Sequence, residues 1–209
     1  SPTFKAHIAK DGEVFKLGEI TITALHTPGH TMESTTYLLK DKNGKDYAIF
    51  SGDTLFLGDV GRPDLAQEAA DMTQEQLAGL LYDSLRTKIM TLADNVIVYP
   101  AHGAGSACGK NLSKETVGSI GDQKATNYAL RANMTKEEFV KEVTDGLLPP
   151  PAYFPMNVQM NKEGYSNVEN IIKEAKAFEP KVFETVANQT EALGLDVRHQ
   201  DYFAKGHIP

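Results

Sequence analysis

The sequence predicts an α/β fold, on two observations. Three apolar segments with the composition of β-strands each end in a potential metal ligand: "ITALHTPGH" at His30, "YAIFSGD" at Asp53 and "VIVYPAH" at His102. An amphipathic helical pattern lies between the second and the third segment. Since α/β proteins build their sites at the ends of strands, these three positions are candidate site residues.

The first strands are predicted at residues 14–24 and 35–52. Isoleucine alternates with threonine before His30, which is typical of a strand, and Pro28-Gly29 predicts the turn that ends it. The second segment, "TTYLLKDKNGKDYAIFSGD", predicts a hairpin because an Asn-Gly turn separates two apolar runs. A further buried strand is predicted in "NVIVYP", residues 95–100.

Helices are predicted at residues 73–92, 114–131, 135–144 and 164–177. The first begins with a capping box, Thr73 with Gln76, and carries an apolar stripe formed by Leu77, Leu80, Leu81, Leu85 and Ile89. A second capping box begins the helix at Thr135. Residues 56–70 and 101–110 are predicted as loops and "GLLPPPAYFP" as an extended segment, and the pattern predicts no clear element from about residue 180.

Composition excludes several classes of partner. A net charge of −7 and a pI near 5.4 argue against nucleic acid or an anionic membrane as the main partner. No apolar stretch reaches the roughly 20 residues of a membrane span. The single cysteine excludes an intramolecular disulfide and agrees with a reducing compartment, so we expect a cytoplasmic protein.

The three strand ends together predict a metal site. His30 alone would more often be a turn histidine that is hydrogen-bonded within its own loop. Two histidines and a carboxylate on three strand ends are instead a donor set that suits zinc or iron.

Five segments also carry a family resemblance. "TPGHT", "SGDTLF" and "YPAHG" resemble the later metal motifs of the metallo-β-lactamase superfamily. "SGDTLFLGDVGRPD" and "VIVYPAHGAGSACGKN" resemble its persulfide dioxygenase branch, which includes the ethylmalonic-encephalopathy type and bacterial fusions with a rhodanese domain. The resemblance implies that residues 1–178 form the C-terminal part of a metallo-β-lactamase αββα sandwich, with mixed sheets flanked by helices.

The tail resembles a different family. "LDVRHQDYFAKGHIP" is similar to the opening of a rhodanese domain, in which a strand ends in Asp-x-Arg and a Gly-His-Ile-Pro turn follows. Residues 179–209 are therefore predicted to be a linker and the beginning of a rhodanese-like α/β domain, without that family's catalytic cysteine. The alternative for this tail is an amphipathic surface segment.

The superfamily's first metal motif, His-x-His-x-Asp-His, does not occur in the 209 residues. The resemblance implies that the motif supplies one ligand of a mononuclear iron site, with His30 and Asp53 as the other two. Two protein donors hold a metal ion weakly. We therefore expect the parent protein to be active and this 209-residue chain to be inactive.

The activity that the resemblance implies is that of a non-haem Fe(II) persulfide dioxygenase. It oxidises a thiol persulfide with O2 to sulfite and releases the thiol, for which glutathione, coenzyme A and bacillithiol are candidate carriers. A glyoxalase II-like thioester hydrolase with a dinuclear zinc site is the alternative enzyme, and a metal-free, non-catalytic fragment is the alternative outside enzymes. An exposed half-sandwich also favours self-association, so we expect a homo-oligomer.

Three residues are expected to contact the substrate. The resemblance implies that Arg62 binds a carboxylate of the thiol carrier; the alternative is a loop clamp with Asp64 or Asp59. Tyr99 is either a substrate contact or a core aromatic. Cys108 is either a small buried residue or, if backbone N–H groups and the neighbouring lysine lower its pKa, an acceptor of persulfide sulfur.

The resemblance assigns His102 to a second metal in dinuclear relatives. In the mononuclear branch we expect it beside the ligands or in contact with the substrate, and it could also replace a missing ligand.

Overall fold

A six-stranded mixed sheet forms the centre of the fold. The computed structural model describes residues 3–190 and 195–207. The strands lie side by side in chain order: β1 Val14–Leu17, β2 Ile20–His26, β3 Thr35–Lys40, β4 Asp46–Gly52, β5 Ile97–Pro100 and β6 Gly118–Ser119. β4 and β5 are parallel and the other neighbours are antiparallel. β2, β4 and β5 therefore run in the same direction.

Short turns connect the first four strands. The predicted strand segment 14–24 is two strands, β1 and the first part of β2, joined by a turn at Gly18. The predicted hairpin of β3 and β4 is present, and the Asp41 carboxylate accepts hydrogen bonds from the N–H groups of Asn43 and Lys45 in its turn. Asx hydrogen bonds of this kind are the reason that aspartate favours turns.

One face of the sheet carries the core. Leu38, Ile49 and Val98 are buried beneath α2, Gln74–Ser84, and α4, Lys136–Thr144. The helices contribute Leu77, Leu81, Leu85, Ile89, Phe139 and Val143 to this layer. The predicted apolar stripe of the first helix is thus confirmed as core, except for Leu80, which is only half-buried.

The opposite face of the sheet is apolar and open. Tyr37, Phe50 and Tyr99 lie next to one another in the strand register and each is about two-fifths exposed. The rings of Phe50 and Tyr99 stack with their centroids 5.6 Å apart. Phe15, Ile22, Tyr37 and Phe50 line a shallow depression of about 430 Å³ on this face. We call this surface, formed by Phe15, Ile22, Tyr37, Phe50 and Tyr99, the open sheet face.

The helices of the sheet-bearing part begin at local signals. α1 is Gln67–Ala70, and α2 and α4 follow the predicted capping boxes at Thr73 and Thr135. The helix predicted over 73–92 changes to a π-helical turn at Leu85–Ile89. The helix predicted over 114–131 begins only at α3, Ile120–Thr126, because Ser119 and Asp122 form a capping box there. A 3₁₀ turn, Tyr128–Leu130, follows it.

The chain divides into two compact units, Ser1–Gln159 and Met160–Pro209. α5, Phe154–Glu163, begins where an extended segment is predicted, and the helix predicted over 164–177 is the shorter α6, Val168–Glu174. From residue 180 to the tail that begins at residue 191, the expectation of no clear element is wrong, because α7, Pro180–Thr190, is a regular helix. A further helix, α8, Gln200–Lys205, lies within the tail. None of the described residues of the second unit is buried.

The rhodanese-like signature at the C-terminus has a different local structure from the predicted one. Residues 195–198 are not part of a strand. Arg198 instead pairs with Asp196 within the segment, and hydrogen bonds from Arg198 hold the pKa of Asp196 at about 2. The last two residues of the predicted Gly-His-Ile-Pro turn lie outside the described residues. Among the described residues, no helix has both the length and the apolar character needed to cross a membrane.

Candidate metal centre

The candidate site lies where three strands end. β2 leads into the turn that carries His30, β4 is followed at once by Asp53, and His102 comes two residues after β5. Since these three strands run in the same direction, their C-terminal ends meet at one edge of the sheet. The three strand ends predicted from the sequence therefore do come together.

His30 is held with one ring nitrogen free to bind a metal. The side chain is buried, and Nδ1 donates a hydrogen bond of 2.8 Å to the carbonyl oxygen of Arg62. A carbonyl can only accept, so Nδ1 carries a proton, and Nε2 is the nitrogen that a metal would bind, in place of the proton that it donates to Asp53 in the metal-free chain. Nε2 lies 3.1 Å from Oδ2 of Asp53. A histidine fixed by its second nitrogen in this way is the usual arrangement of a metal ligand.

Asp53 lies between two histidines. Its Oδ2 faces His30, and its Oδ1 lies 3.4 Å from Nε2 of His102, whose side chain is 43% exposed. Burial works to raise the pKa of Asp53, but the hydrogen bond from His30 and the charges of both histidines outweigh it, and the pKa is lowered. The carboxylate is therefore ionised at neutral pH, as a metal ligand must be.

Cys108 is the third potential ligand beside this pair. One ligand atom each of His30, Asp53 and Cys108 lies within 4.8 Å of the other two, a group that does not include His102. Burial raises the pKa of the Cys108 thiol; a hydrogen bond from Ser106 opposes the shift and the Asp53 carboxylate adds to it.

The lowered pKa that the sulfur-acceptor alternative requires is therefore not found for Cys108 in the metal-free chain. Lys110, which was expected to cause it, directs its ammonium group elsewhere, to the carbonyl oxygens of Glu142 and Asp145. The role of Cys108 as a sulfur acceptor stays a prediction.

Arg62 forms the loop clamp that is one of its two predicted roles. Its guanidinium is buried and makes a two-point ion pair with Asp64, with both N–O distances 2.7 Å. It also donates to the carbonyl oxygens of Ala107 and Leu148. A substrate carboxylate could bind Arg62 only by replacing one or more of these hydrogen bonds. The role of Arg62 in binding the substrate stays a prediction.

Gly61 and Asp59 are site residues that the sequence analysis did not identify. A Cβ at Gly61 would lie 1.9 Å from the carbonyl oxygen of Asp53 and 3.0 Å from Nδ1 of His30, so the loop passes the ligands too closely for any side chain. The signal available in the sequence was the Gly and Pro content of this loop, Gly58, Gly61 and Pro63.

The carboxylate of Asp59 anchors the loop that carries Cys108. It is 1% exposed, and its Oδ2 accepts from the backbone N–H groups of Lys110 at 2.7 Å and Asn111 at 2.6 Å. Its Oδ1 accepts from the hydroxyl of Tyr128 at 2.9 Å. A buried carboxylate with this many donors fixes the path of the loop strongly.

Tyr99 lies away from these residues. Its side chain is on the open sheet face, and no contact among the described residues joins it to His30, Asp53 or Cys108. It is neither a core aromatic nor a neighbour of the ligand group, because the alternation along β5 directs Val98 and not Tyr99 to the core. The substrate contact expected of Tyr99 stays a prediction without a contact to support it.

The donor set fits a divalent transition metal. An imidazole with a free Nε2, an ionised carboxylate and a nearby thiol are ligands that suit iron, zinc or cobalt rather than calcium or magnesium. His30 and Asp53 are the residues that would hold the ion.

This fold is that of the metallo-β-lactamase superfamily, and the chain belongs to it. A crystal structure of a metallo-β-lactamase from Staphylococcus aureus subsp. aureus COL has a TM-score of 0.74 and 28% identity, over 97% of this chain and 54% of that one. The crystal structure of ETHE1 from Myxococcus xanthus has a TM-score of 0.58 and 31% identity, over 74% of this chain and 58% of that one.

Two kinds of enzyme are among the names of the curated relatives. Mitochondrial persulfide dioxygenase ETHE1 of Bos taurus is 30% identical over 152 residues, 73% of this chain and 51% of that protein. A probable hydroxyacylglutathione hydrolase of Schizosaccharomyces pombe is 32% identical over 97 residues, 46% of this chain and 33% of that protein. The chain thus spans about half of the first of these relatives and a third of the second. No family model matches the chain.

Proposed function

We propose that this chain contributes His30 and Asp53 to the iron site of a persulfide dioxygenase. The observation that carries the proposal is the pair itself: Nε2 of His30 is free to bind a metal and lies 3.1 Å from an ionised carboxylate at the ends of two strands. Relatives named persulfide dioxygenase support the choice among the activities of the superfamily.

The proposed reaction converts a thiol persulfide, O2 and water into the thiol, sulfite and protons. The four electrons that O2 takes up come from the outer sulfur of the persulfide, and the S–S bond breaks. Bound Fe(II) supplies the redox chemistry that joins O2 to this sulfur. The chain's own residues position the ligands and limit access of water, because His30 is buried and Asp53 is mostly buried.

His102 is proposed to act at the rim of the site. Its partly exposed ring lies beside the Asp53 oxygen that His30 does not contact. From there it can donate a hydrogen bond to Asp53 or to the persulfide sulfur, and it fixes the carboxylate from the open side.

A thiol ester hydrolase with two zinc ions is the second candidate. The proximity of His102 to Asp53 favours it, since a carboxylate with a histidine on each oxygen can bridge two metal ions. The relative from Schizosaccharomyces pombe agrees with this candidate.

The test uses protein expressed from the complete gene and purified without oxygen. We expect about one iron per chain by elemental analysis, and sulfite release with O2 uptake when glutathione persulfide is added. Asp53→Asn removes the ionised ligand and should abolish both iron binding and sulfite release. Two zinc ions per chain and turnover of S-lactoylglutathione, without sulfite from the persulfide, would establish the hydrolase instead.

A further inference from the structure

Three buried threonines form a network of hydroxyl groups within the fold. Thr27, Thr36 and Thr54 are each 0% exposed. Oγ1 of Thr27 lies 2.8 Å from Oγ1 of Thr54 and 3.2 Å from Oγ1 of Thr36. Valine has nearly the same shape as threonine and needs no hydrogen bond, so buried hydroxyls are costly unless they are paired. Here the three hydroxyls pair with one another.

Two of these threonines belong to the segments that carry the candidate ligands. Thr27 is the first residue after β2 and precedes His30 in the same turn, and Thr54 directly follows Asp53. The Thr54 hydroxyl also donates to the carbonyl oxygen of Thr27, at 3.4 Å. The contact between Thr27 and Thr54 therefore joins the two ligand segments, which lie 27 residues apart in the sequence.

Thr36 belongs to the same network but not to a ligand segment. It lies on β3, which contains none of the candidate ligands, and its hydroxyl donates to the carbonyl oxygen of Ser51 at 3.5 Å. β4, which carries Ser51, is already fixed by backbone pairing with β3 and β5. Thr36 therefore provides a control that matches the other two threonines in residue type and in burial.

The direct contact between His30 and Asp53 cannot hold the two segments once a metal is bound. In the metal-free chain Nε2 of His30 lies 3.1 Å from Oδ2 of Asp53. A metal ion binds both atoms at about 2 Å and so replaces this hydrogen bond. The separation of the segments must then be set by contacts that the metal does not use. The hydrogen bond between Thr27 and Thr54 is such a contact.

We infer that Thr27 and Thr54 are positioning residues, which fix the separation of His30 and Asp53 for the metal ion. The inference rests on the proposed function only for the presence of a metal at this pair, and not for the reaction. Neither threonine binds the ion. Their hydroxyls hold the ligand segments in the metal-free chain at nearly the separation that binding requires, so less order has to be imposed when the ion enters.

The experiment is an anaerobic titration with Co(II) of metal-free protein expressed from the complete gene, followed by visible absorption. Thr27→Val and Thr54→Val should each weaken Co(II) binding by about 10-fold or more, the usual effect of residues that orient ligands from outside. The double variant should bind no more weakly than the weaker single variant, because both lose the same contact. Thr54→Ser keeps the hydroxyl and should bind Co(II) as the wild type does. Thr36→Val should also retain the wild-type affinity, although urea denaturation should show that it is less stable.

Three outcomes would overturn the inference: wild-type affinity in Thr54→Val, an equal loss of affinity in Thr36→Val, or additive losses in the double variant. Far-ultraviolet circular dichroism establishes that each variant is folded. Sulfite release is measured separately on iron-loaded protein. The expected affinities together with a wild type that forms no sulfite support the positioning role and refute the dioxygenase, and sulfite release with unchanged affinities has the opposite meaning. A wild type that binds no Co(II) refutes both.

Discussion

At the scale of single residues, the site depends on positions where no side chain fits. Gly61 passes so close to Asp53 and His30 that a methyl group would overlap the Asp53 carbonyl oxygen. Both ligands therefore rely on a loop residue that carries no functional group.

Gly61→Ala should lower the free energy of unfolding by about 1–3 kcal/mol, the usual cost of overpacking. It should also weaken Co(II) binding, because the loop must move away from His30. Urea denaturation and metal titration measure the two effects. Gly103→Ala is the matched control, since nothing lies within 4 Å of its Cβ position, and it should change stability by no more than about 0.5 kcal/mol.

Asp59→Asn should destabilise the chain by about 1–3 kcal/mol, because the amide turns an N–H₂ group toward buried donors that need an acceptor. Tyr128→Phe removes one donor and leaves the carboxylate with its backbone partners, so its cost should be nearer 1 kcal/mol. Denaturation in urea compares the two variants. An Asp59→Asn protein as stable as Tyr128→Phe would contradict the anchoring role of Asp59.

Residue patterns could predict that His30 and Asp53 come together; Cys108 was expected near the substrate, but the contacts that hold it there could not be predicted. The two ligands follow strands, and strand direction brings them together. The place of Cys108 instead depends on hydrogen bonds from Asp59 and Arg62, residues far away in the sequence. The face of β5 on which Tyr99 lies could not be predicted, because a four-residue strand does not reveal which of its faces meets the core.

At the scale of elements, α2 supports the turn that carries His30. Gly29 has φ +143°, and a Cβ there would lie 2.4 Å from Cβ of Leu81 and 2.5 Å from its Cα. Ser84 also donates to the carbonyl oxygen of Pro28. The helix and the turn are therefore in backbone contact.

Gly29→Ala should lower the free energy of unfolding by about 2–4 kcal/mol, because the methyl group overlaps the backbone of α2 and alanine is strained at this positive φ. Gly44→Ala shares the positive φ but faces open space in the β3–β4 turn, and should cost only about 1–2 kcal/mol. Thermal or urea unfolding of both variants measures the difference. Equal losses would mean that strain alone, and not contact with α2, makes glycine necessary at position 29.

Asp11 joins the end of β2 to the π-helical turn. It accepts from the N–H of His26 and from the ammonium of Lys88, with N–O distances of 2.7–2.8 Å. The hydrogen bond from Lys88, followed by that from His26, lowers the pKa of Asp11. A lowered pKa stabilises the fold above the unfolded-state value of about 3.9 and the gain is lost as the pH falls through the folded value.

Asp11→Asn should therefore cost up to about 1 kcal/mol at pH 7, because the pair is largely exposed. The difference from wild type should shrink as the pH is lowered below about 4, when the wild-type carboxyl also becomes neutral. Urea denaturation at several pH values tests this, with exposed Glu19→Gln as the control. A difference that does not change with pH would exclude the ion pair as its source.

Elements with local start signals were predictable, and those without them were not. α2 and α4 begin at capping boxes that the sequence displays. α7 and α8 contain no buried residue, so no core-facing stripe was available to identify them. The division of the chain near residue 178 stays a prediction.

At the scale of the whole molecule, the open sheet face has no polar covering. Contiguous apolar surfaces of this kind are rare on monomers, so we expect the 209-residue chain to self-associate through it. Phe50→Lys should weaken self-association at least about tenfold, since burying an unpaired ammonium is costly. Val14→Lys changes an exposed residue on the other side of the same sheet and should have little effect. Sedimentation velocity over a range of concentrations distinguishes the two variants.

The parallel pairing of β4 with β5 also determines the stage of folding at which Asp53 and His102 approach each other. The first four strands pair with their neighbours through short connections. Ile49 of β4 pairs with Val98 of β5 only after the long chain segment between them, which contains α2, has closed into a loop. Closing a long segment is slow, because its entropy is lost before the contact is gained. Asp53 and His102 follow these two strands. A newly synthesised chain therefore has His102 apart from Asp53 until a late stage of folding, so the rim of the site forms after the pair of His30 and Asp53.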